Sequence, residues 1–368
     1  MNFDFTGEQR QFRDALRRYL DKEYAFDTRQ KIVASDAGVD AGHWRAFADL
    51  GLFALPAPQA QGGFDGGAVD MLVVMQELGR AHVVEPYWAT AVGIEALRLG
   101  AMNDLLERAA RGELRLSVAF NEPHARYELF DLRTTARTHD GAYTLDGVKS
   151  MVQHGAQADC WIVPARIEGE IELFLVERQA RGAQITEYRT IDGQRAATLT
   201  FRDTPATRLA GRGAVTLERS ADYATFLLCA EALGALDALN RAAVDYTKER
   251  QQFGMPIARF QALQHRMVDM LIHTEQARSI VYLAAARLAS DDPATRAQAV
   301  SAAKTRVGQA ARFVGQQAVQ LHGGMGVTNE LPAAHWFKRL SIIETTLGDV
   351  DHHLARFASL PSFAASDA

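Results

Sequence analysis

The chain has 368 residues, of which 48% are hydrophobic and 23% charged, as in a globular protein with a sizeable core. Its formal net charge of −5 offers no basic surface for nucleic acid or an anionic membrane. No apolar run reaches the roughly 18 residues that a membrane-spanning helix needs. The segment MNFDFTGEQR lacks the features of a secretory signal, so we expect a cytoplasmic protein. Cys160 and Cys229 lie in unrelated segments, which argues against a disulfide framework and a zinc–cysteine site.

The first section of the chain, residues 1–113, has the period of helices. In QRQFRDALRRYLDKEY, the apolar residues Phe12, Leu16 and Tyr19 are spaced as one stripe of an amphipathic helix. WRAFADLGLFAL and AVDMLVVMQELGRA predict further helices. The Gly- and Pro-rich stretch PAPQAQGGFDGG predicts the loop between them.

The second section, residues 114–214, consists of short segments rich in Val, Ile, Thr, Phe and Tyr that are separated by turn residues. This spacing predicts an antiparallel sheet domain, either a small barrel or a sandwich. The predicted strands are LSVAF, DLRTTAR, AYTLDGVKSMVQ, DCWIVPAR, IELFLVE, QITEYRT and ATLTFRD.

The third section, residues 215–368, returns to long helical patterns rich in Ala and Leu, which favour a four-helix bundle. We therefore predict an α+β fold. It comprises an N-terminal α-helical domain (1–113), a middle antiparallel β-barrel domain (114–214) and a C-terminal four-helix bundle domain (215–368).

Three short motifs combine chemically useful side chains with turn residues. In KERQQFG, Arg250 could hold a phosphate and Phe253 could lie against a planar ring, although a basic helix end also complements the helix dipole. In QLHGGMGVTNE, Gly323 and Gly324 either end a helix or let backbone N–H groups approach a pyrophosphate. In FNEP, the Asn121 amide either meets the edge of a heterocycle or forms a turn before proline.

Taken together, the motifs resemble a known family. YTKERQQFGMPIARFQALQHRMVDM and QAVQLHGGMGVTNELPAAHWFKR, separated by one long helix, resemble the two C-terminal signatures of the acyl-CoA dehydrogenase family. LGLFALPAPQAQGGFDGGAVDMLVVMQELGR is similar to that family's N-terminal domain, and LDGVKSMVQHGAQADCWIVPAR to its middle β-domain. The resemblance covers nearly the whole chain in order. ITEYRTIDGQRAATLTF and the closing FKRL…GDVDHHLARFA resemble the pimeloyl-CoA dehydrogenase small-subunit type.

The resemblance implies FAD as cofactor and α,β-dehydrogenation of an acyl-CoA thioester, with an electron-transfer flavoprotein as electron acceptor. It also implies a homo-oligomer, or a heterotetramer with a paralogous subunit, in which cofactor contacts cross between subunits. The positions that match the family's FAD contacts are Phe120, Asn121, Gln153, Arg250, Phe253, Gln320, Gly323 and Gly324.

The chain departs from the family pattern in its middle domain and at the catalytic base. NEPHARYELFDLRTTA lacks the usual Gly-Ser-Asp part, and Met151 stands where Trp is usual. The reaction needs a base to take the α-proton of the thioester. The family's two usual base positions correspond here to Leu347 and Ala224, and neither side chain accepts a proton.

The acids near the first of these positions are the remaining candidates. Asp349, directly after Gly348, is our candidate catalytic base, although it could instead cap the final helix. Because of their positions, Asp351 and Glu344 are weaker candidates for the base than Asp349. Asp349, Asp351, His352 and His353 have ligand chemistry, and Asp349 and His353 would share a helix face. The two adjacent histidines, however, would point about 100° apart on a helix. We therefore expect no metal site.

Two functions remain open from the sequence. The retained flavin-facing positions favour an FAD-dependent acyl-CoA dehydrogenase, whereas the two inert base positions favour a non-catalytic partner subunit of a heteromeric enzyme. The acyl chain of the substrate is not readable from the sequence. Neither is the choice among Arg126, Arg133 and Arg137 as contacts for the CoA moiety.

Overall fold

The computed structural model describes residues 4–361, and within them the order is helices, then strands, then helices, as the sequence predicts. No helix in these residues is both long and apolar enough to cross a membrane. The helices are α1 Gly7–Glu23, α2 Phe26–Ala34, α3 Ala41–Asp49, α4 Ala68–Ala81, α5 Tyr87–Leu99, α6 Asn103–Ala110, α7 Gly213–Glu249, α8 Gln261–Arg287, α9 Pro293–His322, α10 Pro332–Thr345 and α11 Val350–Ala358. The strands are β1 Leu116–Val118, β2 Thr135–His139, β3 Ala142–Gln153, β4 Cys160–Ile167, β5 Glu170–Glu177, β6 Ala183–Arg189, β7 Arg195–Arg208, β8 Gln251–Gln252 and β9 Met255–Pro256.

The described residues divide into two compact units. The first unit consists of residues 4–29, 68–83 and 225–361 and is helical apart from the short β8–β9 hairpin. The second unit consists of residues 30–67 and 84–224 and contains strands β1–β7. The boundaries of the three domains expected from the sequence stay a prediction.

Side-chain caps define where several helices begin. The Thr6 hydroxyl accepts the Gln9 N–H, and the Gln9 side chain accepts the Thr6 N–H, which forms a capping box at the start of α1. The Asp292 carboxylate accepts the N–H groups of Ala294 and Thr295 before α9. These caps satisfy N–H groups that have no partner inside the helix.

The strands β1–β7 form one sheet in the second unit. Neighbouring strands follow the order β1-β4-β2-β3-β7-β5, and β6 pairs with β7. A further pairing of β4 with β5 joins β4, β2, β3, β7 and β5 into a closed ring. Closure of this kind removes exposed strand edges from those five strands.

Two strand pairs differ from the antiparallel arrangement that the sequence predicted. β1 runs parallel to β4, with Leu116 opposite Cys160, and β2 is parallel to β4 at Thr135 and Arg166. The strands of each pair are not consecutive in the chain, so no hairpin imposes an antiparallel direction. The other pairs in this sheet are antiparallel.

Aromatic side chains form the centre of the core within this sheet. Trp161, Phe174 and Phe201 are buried together with small and branched residues from β2, β3, β4, β5 and β7. The indole N–H of Trp161 donates to the Gly155 carbonyl at 2.7 Å. The largest side chain of the core is therefore buried with its polar atom hydrogen-bonded.

A buried ion pair fixes α10 against α7 in the first unit. Arg339 of α10 donates from Nε and Nη2 to the two carboxylate oxygens of Glu231 at 2.6 and 2.7 Å. The two side chains are 2% and 6% exposed. A bidentate pair has a fixed geometry, so it constrains the relative position of the two helices. Loss of either partner would leave a buried charge uncompensated.

Two glycines allow α4 and α7 to approach closely. A Cβ atom at Gly79 would lie 2.0 Å from the Glu231 carbonyl oxygen, and one at Gly234 would lie 1.9 Å from the Gln76 carbonyl oxygen. Real Cβ atoms do not approach backbone atoms at such distances. The close approach therefore requires that Gly79 of α4 and Gly234 of α7 both lack a side chain. The crossing therefore has no room for even one methyl group on either side.

We expect Gly234→Ala to destabilise the protein by about 3 kcal/mol, because α4 and α7 would have to separate and repack. Urea unfolding followed by circular dichroism measures the change. Gly7→Ala is the matched control, since a Cβ there meets no atom within 4 Å. Equal stability of the two variants would contradict the close crossing.

Candidate active site

The turn between α10 and α11 carries the first of the two predicted base positions. Leu347 has φ +58° and Gly348 has φ +113°. A positive φ is uncommon for leucine and costs on the order of 1 kcal/mol. Such a conformation persists only where the surrounding structure imposes it, so the contacts of this turn decide its shape.

Two buried side chains hold the turn through its carbonyl groups. Lys304 of α9 is 1% exposed, and its Nζ donates to the carbonyl oxygens of Glu344, at 3.0 Å, and of Gly348. His353 Nε2 lies 2.9 Å from the Leu347 carbonyl oxygen. Burial lowers the pKa of His353 to about 2, so the ring is neutral and its Nε2–H donates this bond. The strained backbone at Leu347 is therefore fixed by hydrogen bonds on both sides.

Burial also perturbs the lysine that holds this turn. It lowers the pKa of Lys304 from 10.5 to about 8, while the nearby Cys229, Glu344 and Asp349 act in the opposite direction. The Lys304 ammonium donates to main-chain carbonyls of the turn, which are dipoles and carry no full negative charge. A cation solvated in this way is stabilised less than one paired with a carboxylate.

Asp349 is the N-cap of α11. One carboxylate oxygen, Oδ1, accepts the His352 N–H at 2.9 Å, which is the capping geometry that the sequence left open as an alternative. Its role as a catalytic base stays a prediction. A helix N-terminus stabilises the anionic form of such a carboxylate, so the cap and a proton-accepting role make opposite demands on it.

The other acids and histidines of this segment have separate roles. Glu344 is buried and accepts a hydrogen bond from Arg312 Nη2 at 2.9 Å. Asp351 is exposed in the first turn of α11. The rings of His352 and His353 lie at 86° to each other, and among residues 4–361 no group of three or more metal-ligating side chains is assembled.

The second predicted base position, Ala224, is a buried residue of α7. Its methyl group is inert, and its carbonyl oxygen accepts the indole N–H of Trp88 at 3.0 Å. The structure thus places no titratable side chain at position 224.

The motif KERQQFG forms an outward-facing tip at the end of α7. Arg250 follows the helix and is exposed, and the β8–β9 hairpin comes next. Phe253, at the turn of the hairpin, has φ +54° and is 86% exposed, with its ring 6.0 Å from that of Phe260. A large ring so exposed is available to a planar partner outside this chain.

The glycines after α9 form an open stretch of backbone. Gly323 has φ +59° and both it and Gly324 are exposed, with no heavy atom within 4 Å of a Cβ built on either. Gln320 is exposed one turn earlier in the helix. An anionic group can therefore approach this backbone closely, as the phosphate hypothesis requires.

In the second unit, the predicted cofactor residues lie on two connected segments. The Asn121 carbonyl accepts the Ser150 N–H at 2.9 Å, which joins the FNEP segment to β3. The Gln153 carbonyl accepts the Ser117 hydroxyl at 2.7 Å, which joins β3 to β1. The structure thus brings Asn121 and its buried neighbour Phe120 to the strand that carries Gln153.

Met151, where the resemblance leads us to expect tryptophan, has an unusual backbone conformation. Its φ is +50°, its side chain is 44% exposed, and its N–H donates to the Tyr188 hydroxyl at 3.0 Å. The same hydroxyl lies 3.3 Å from the Met151 sulfur. A tyrosine from β6 therefore fixes the backbone at Met151.

Sequence reasoning missed a buried ion pair beside Asn121. Lys149 Nζ donates to Glu122 at 2.8 Å, and this carboxylate also accepts the N–H groups of Arg133 and Thr134. Burial raises the pKa of Glu122, but Lys149 and these hydrogen bonds bring it below its usual value. Burial lowers the pKa of Lys149 to about 8. The acid of N-E-P and the lysine of G-V-K were visible in the sequence, but their pairing was not.

Models of three family domains match the chain in succession. The acyl-CoA dehydrogenase N-terminal domain matches residues 6–101, the middle domain residues 117–204 and the C-terminal domain residues 211–358. The chain belongs to the acyl-CoA dehydrogenase family, a family of FAD-dependent oxidoreductases, and the resemblance to this family is confirmed. The resemblance to the pimeloyl-CoA dehydrogenase small-subunit type stays a prediction.

Individual relatives agree with this assignment. The acyl-CoA dehydrogenase IpdE2 of Mycobacterium tuberculosis is 32% identical over 314 residues, which cover 83% of this chain and 82% of the relative. Benzylmalonyl-CoA dehydrogenase of Aromatoleum aromaticum is 30% identical over 311 residues, which cover 77% and 80%. A solved structure of a Tcur3481-Tcur3483 steroid ACAD variant is 28% identical, with a TM-score of 0.90, and covers 98% of this chain and 99% of that chain.

The residues at the matched positions fit the family's cofactor, FAD. The open backbone at Gly323 and Gly324 admits phosphate oxygens, Arg250 offers a guanidinium group, and Phe253 offers an exposed ring. Such groups suit the pyrophosphate and the ring system of a flavin dinucleotide.

We expect the stability that Lys304 contributes to rise between pH 8 and pH 10.5. In this range the unfolded state holds more protons on this lysine than the folded state, because the pKa is lowered on folding. The difference in unfolding free energy between the wild type and Lys304→Met should therefore grow by up to about 3 kcal/mol. Urea titrations at several pH values measure it.

Lys338→Met is the control, because that lysine is only half-buried and donates to the Asn329 side chain. Hydrogen exchange of the peptide covering residues 344–353 should also accelerate in Lys304→Met and not in the control. A stability difference that stays constant or falls with pH would contradict the perturbed lysine.

Proposed function

We propose that this chain catalyses the FAD-dependent α,β-dehydrogenation of an acyl-CoA thioester. The observation that carries the proposal is the succession of three family domains along the chain together with the retained cofactor positions. When bound, FAD supplies the hydride acceptor. The protein must bind the thioester, orient its α- and β-carbons and remove the α-proton.

For the proton acceptor we propose Asp349. It is the carboxylate beside Gly348, whereas Leu347 and Ala224 have no group that accepts a proton. The α-proton would be taken by this carboxylate, which also accepts the cap hydrogen bond from His352. Lys304 and His353 act as positioning residues in this scheme, because they fix the turn from which Asp349 projects.

As cofactor contacts we propose the two connected segments of the second unit, with Phe120, Asn121 and Gln153, and the outward-facing residues of the first unit. The latter are Arg250, Phe253, Gln320, Gly323 and Gly324. Because Arg250 and Phe253 face away from their own helices, they support a contact with the FAD of a neighbouring copy.

For the substrate we propose a ring-bearing acyl-CoA, with an electron-transfer flavoprotein as electron acceptor. The names of two relatives, benzylmalonyl-CoA dehydrogenase and the steroid ACAD, both refer to ring-bearing compounds. An anaerobic titration of the FAD-loaded chain with straight-chain, dicarboxylyl and ring-bearing acyl-CoAs tests this choice. Bleaching of the visible flavin band only by straight chains would overturn it.

The inert side chains at positions 347 and 224 favour a second candidate function, that of a partner subunit without its own base. In this case the flavin would stay yellow with every acyl-CoA when the chain is alone. Co-expression with a catalytic paralogue would then restore bleaching. A homo-oligomer of this chain that dehydrogenates an acyl-CoA would exclude this candidate.

We expect Asp349→Asn to abolish bleaching of the flavin band without loss of stability. Asparagine caps a helix about as well as aspartate but cannot take a proton. Asp349→Ala should lose bleaching and also about 1 kcal/mol of stability, because it removes the cap as well. Stopped-flow reduction and thermal unfolding separate the two effects. Normal bleaching by Asp349→Asn would limit Asp349 to its capping role.

We expect Phe253→Ala to weaken FAD binding about tenfold while leaving the unfolding of the apoprotein unchanged. The ring is 86% exposed, so its removal takes little from the packing of its own chain. Equilibrium dialysis with FAD measures the affinity. Phe64→Ala, which truncates another exposed ring (59%), is the control. Unchanged FAD affinity in Phe253→Ala would contradict the assignment of this tip.

A further inference from the structure

Strand β3 has a bulge just before Gln153, one of the residues proposed to contact FAD. The register of β3 against β7 shifts between Lys149 and Val152, so that two residues of β3, Ser150 and Met151, lie opposite one residue of β7. A bulge of this kind disrupts the ladder of hydrogen bonds and bends the strand that carries the extra residue. The shape of the bulge therefore affects where the end of β3 lies.

Both N–H groups of the bulge donate outside the strand ladder. The Ser150 N–H donates to the Asn121 carbonyl at 2.9 Å, and the Met151 N–H donates to the Tyr188 hydroxyl at 3.0 Å. The same hydroxyl lies 3.3 Å from the Met151 sulfur, which is a weak acceptor. One oxygen atom thus contacts both the backbone and the side chain of Met151. The bulge is held by the segment that carries Asn121 on one side and by Tyr188 on the other.

The backbone conformation of Met151 needs this support. Its φ of +50° lies in the left-handed region, which is uncommon for a residue with a side chain. Such a conformation persists only where the surrounding contacts impose it. The Met151 side chain is 44% exposed, so packing restrains it weakly. The hydrogen bonds of the bulge therefore supply much of the restraint.

The strand register places Tyr188 on the same face of the sheet as Gln153. Ala196 of β7 is paired with Tyr188 of β6 on one side and with Gln153 of β3 on the other. Directly paired residues of antiparallel strands have their side chains on the same face. The side chain of Ala196 is small and buried, so the tyrosine ring can extend across β7 to the bulge.

We propose that Tyr188 is a positioning residue for FAD, because it holds the β3 bulge in the shape that presents Asn121 and Gln153 to the flavin. This role rests on the proposed function, in which those two residues contact the cofactor. The Ser150 N–H links the bulge to Asn121, and the strand itself links it to Gln153. Without the hydroxyl, the Met151 N–H loses this acceptor and the strained backbone can relax, which would displace both cofactor contacts.

Tyr188→Phe, which removes only the hydroxyl, is the test variant. Tyr143→Phe is the matched control, since Tyr143 lies near the other end of β3 and its hydroxyl is hydrogen-bonded to the Arg208 guanidinium. Equilibrium dialysis of the full-length chain measures the affinity for FAD. We expect this affinity to fall about fivefold to tenfold in Tyr188→Phe and to stay unchanged in Tyr143→Phe. The midpoints of thermal unfolding of the two apoproteins should fall by similar small amounts, because each loses one hydrogen bond.

Two further readouts separate positioning from a general loss of stability. The visible absorption bands of the bound flavin should shift in Tyr188→Phe, because hydrogen bonds to the flavin ring tune its electronic structure. Amide hydrogens of the peptide covering residues 147–153 should exchange faster in the same variant. Neither property should change in Tyr143→Phe.

The outcomes distinguish the role of Tyr188 from the proposed function. If the wild type binds FAD and Tyr188→Phe binds it with the same affinity and spectrum, the positioning role is overturned and the proposed function stands. An equal loss of FAD affinity in Tyr188→Phe and Tyr143→Phe would also overturn the positioning role, because it would show a general effect of a missing hydroxyl. A wild type that binds no FAD would overturn the proposed cofactor contacts themselves, and the role of Tyr188 with them.

Discussion

The shape of the turn between α10 and α11 depends first on the buried ammonium of Lys304, which donates hydrogen bonds to main-chain carbonyls. Glu344 and Gly348 supply those carbonyls from the two sides of the turn, so this side chain bridges the end of α10 and the start of α11. Leu347 lies between them and has no freedom to relax to a negative φ. The strain at this residue is thus a result of the contacts around it.

A second buried lysine holds a loop in place in the other unit. Lys149 is paired with the carboxylate of Glu122, which also accepts hydrogen bonds from two main-chain N–H groups in the segment before β2. In both units, a buried lysine therefore anchors the loop that carries candidate functional residues, Asn121 in one case and Asp349 in the other. Burial lowers the pKa of both lysines to about 8, which shows that dehydration outweighs the attraction of the partners in each case.

Much of the fold was accessible from the sequence because local pattern and final structure agree. β3, Ala142–Gln153, coincides with the predicted strand AYTLDGVKSMVQ, and α4 coincides with AVDMLVVMQELGRA. β2 was predicted four residues early, because the N–H groups of Arg133 and Thr134 are bonded to a glutamate distant in sequence. The parallel pairing of β1 with β4 and the glycine crossing of α4 with α7 likewise depend on which elements meet in space, and periodicity carries no such information. For the candidate site, the sequence showed that the two expected base positions, Leu347 and Ala224, carry inert side chains. An aspartate suits both a helix cap and a catalytic base, so the residue type at Asp349 could not distinguish the two roles.

The role proposed for the exposed tip at Phe253 would link two properties of the protein, cofactor occupancy and assembly. If this ring and Arg250 cover the flavin of a neighbouring copy, each cofactor is held by two chains, and occupancy and assembly are coupled by mass action. Dilution below the dissociation constant of the assembly would then release the flavin as well as the chains. The absorbance of bound flavin per chain would depend on protein concentration, and a dilute assay would underestimate the activity of a concentrated stock.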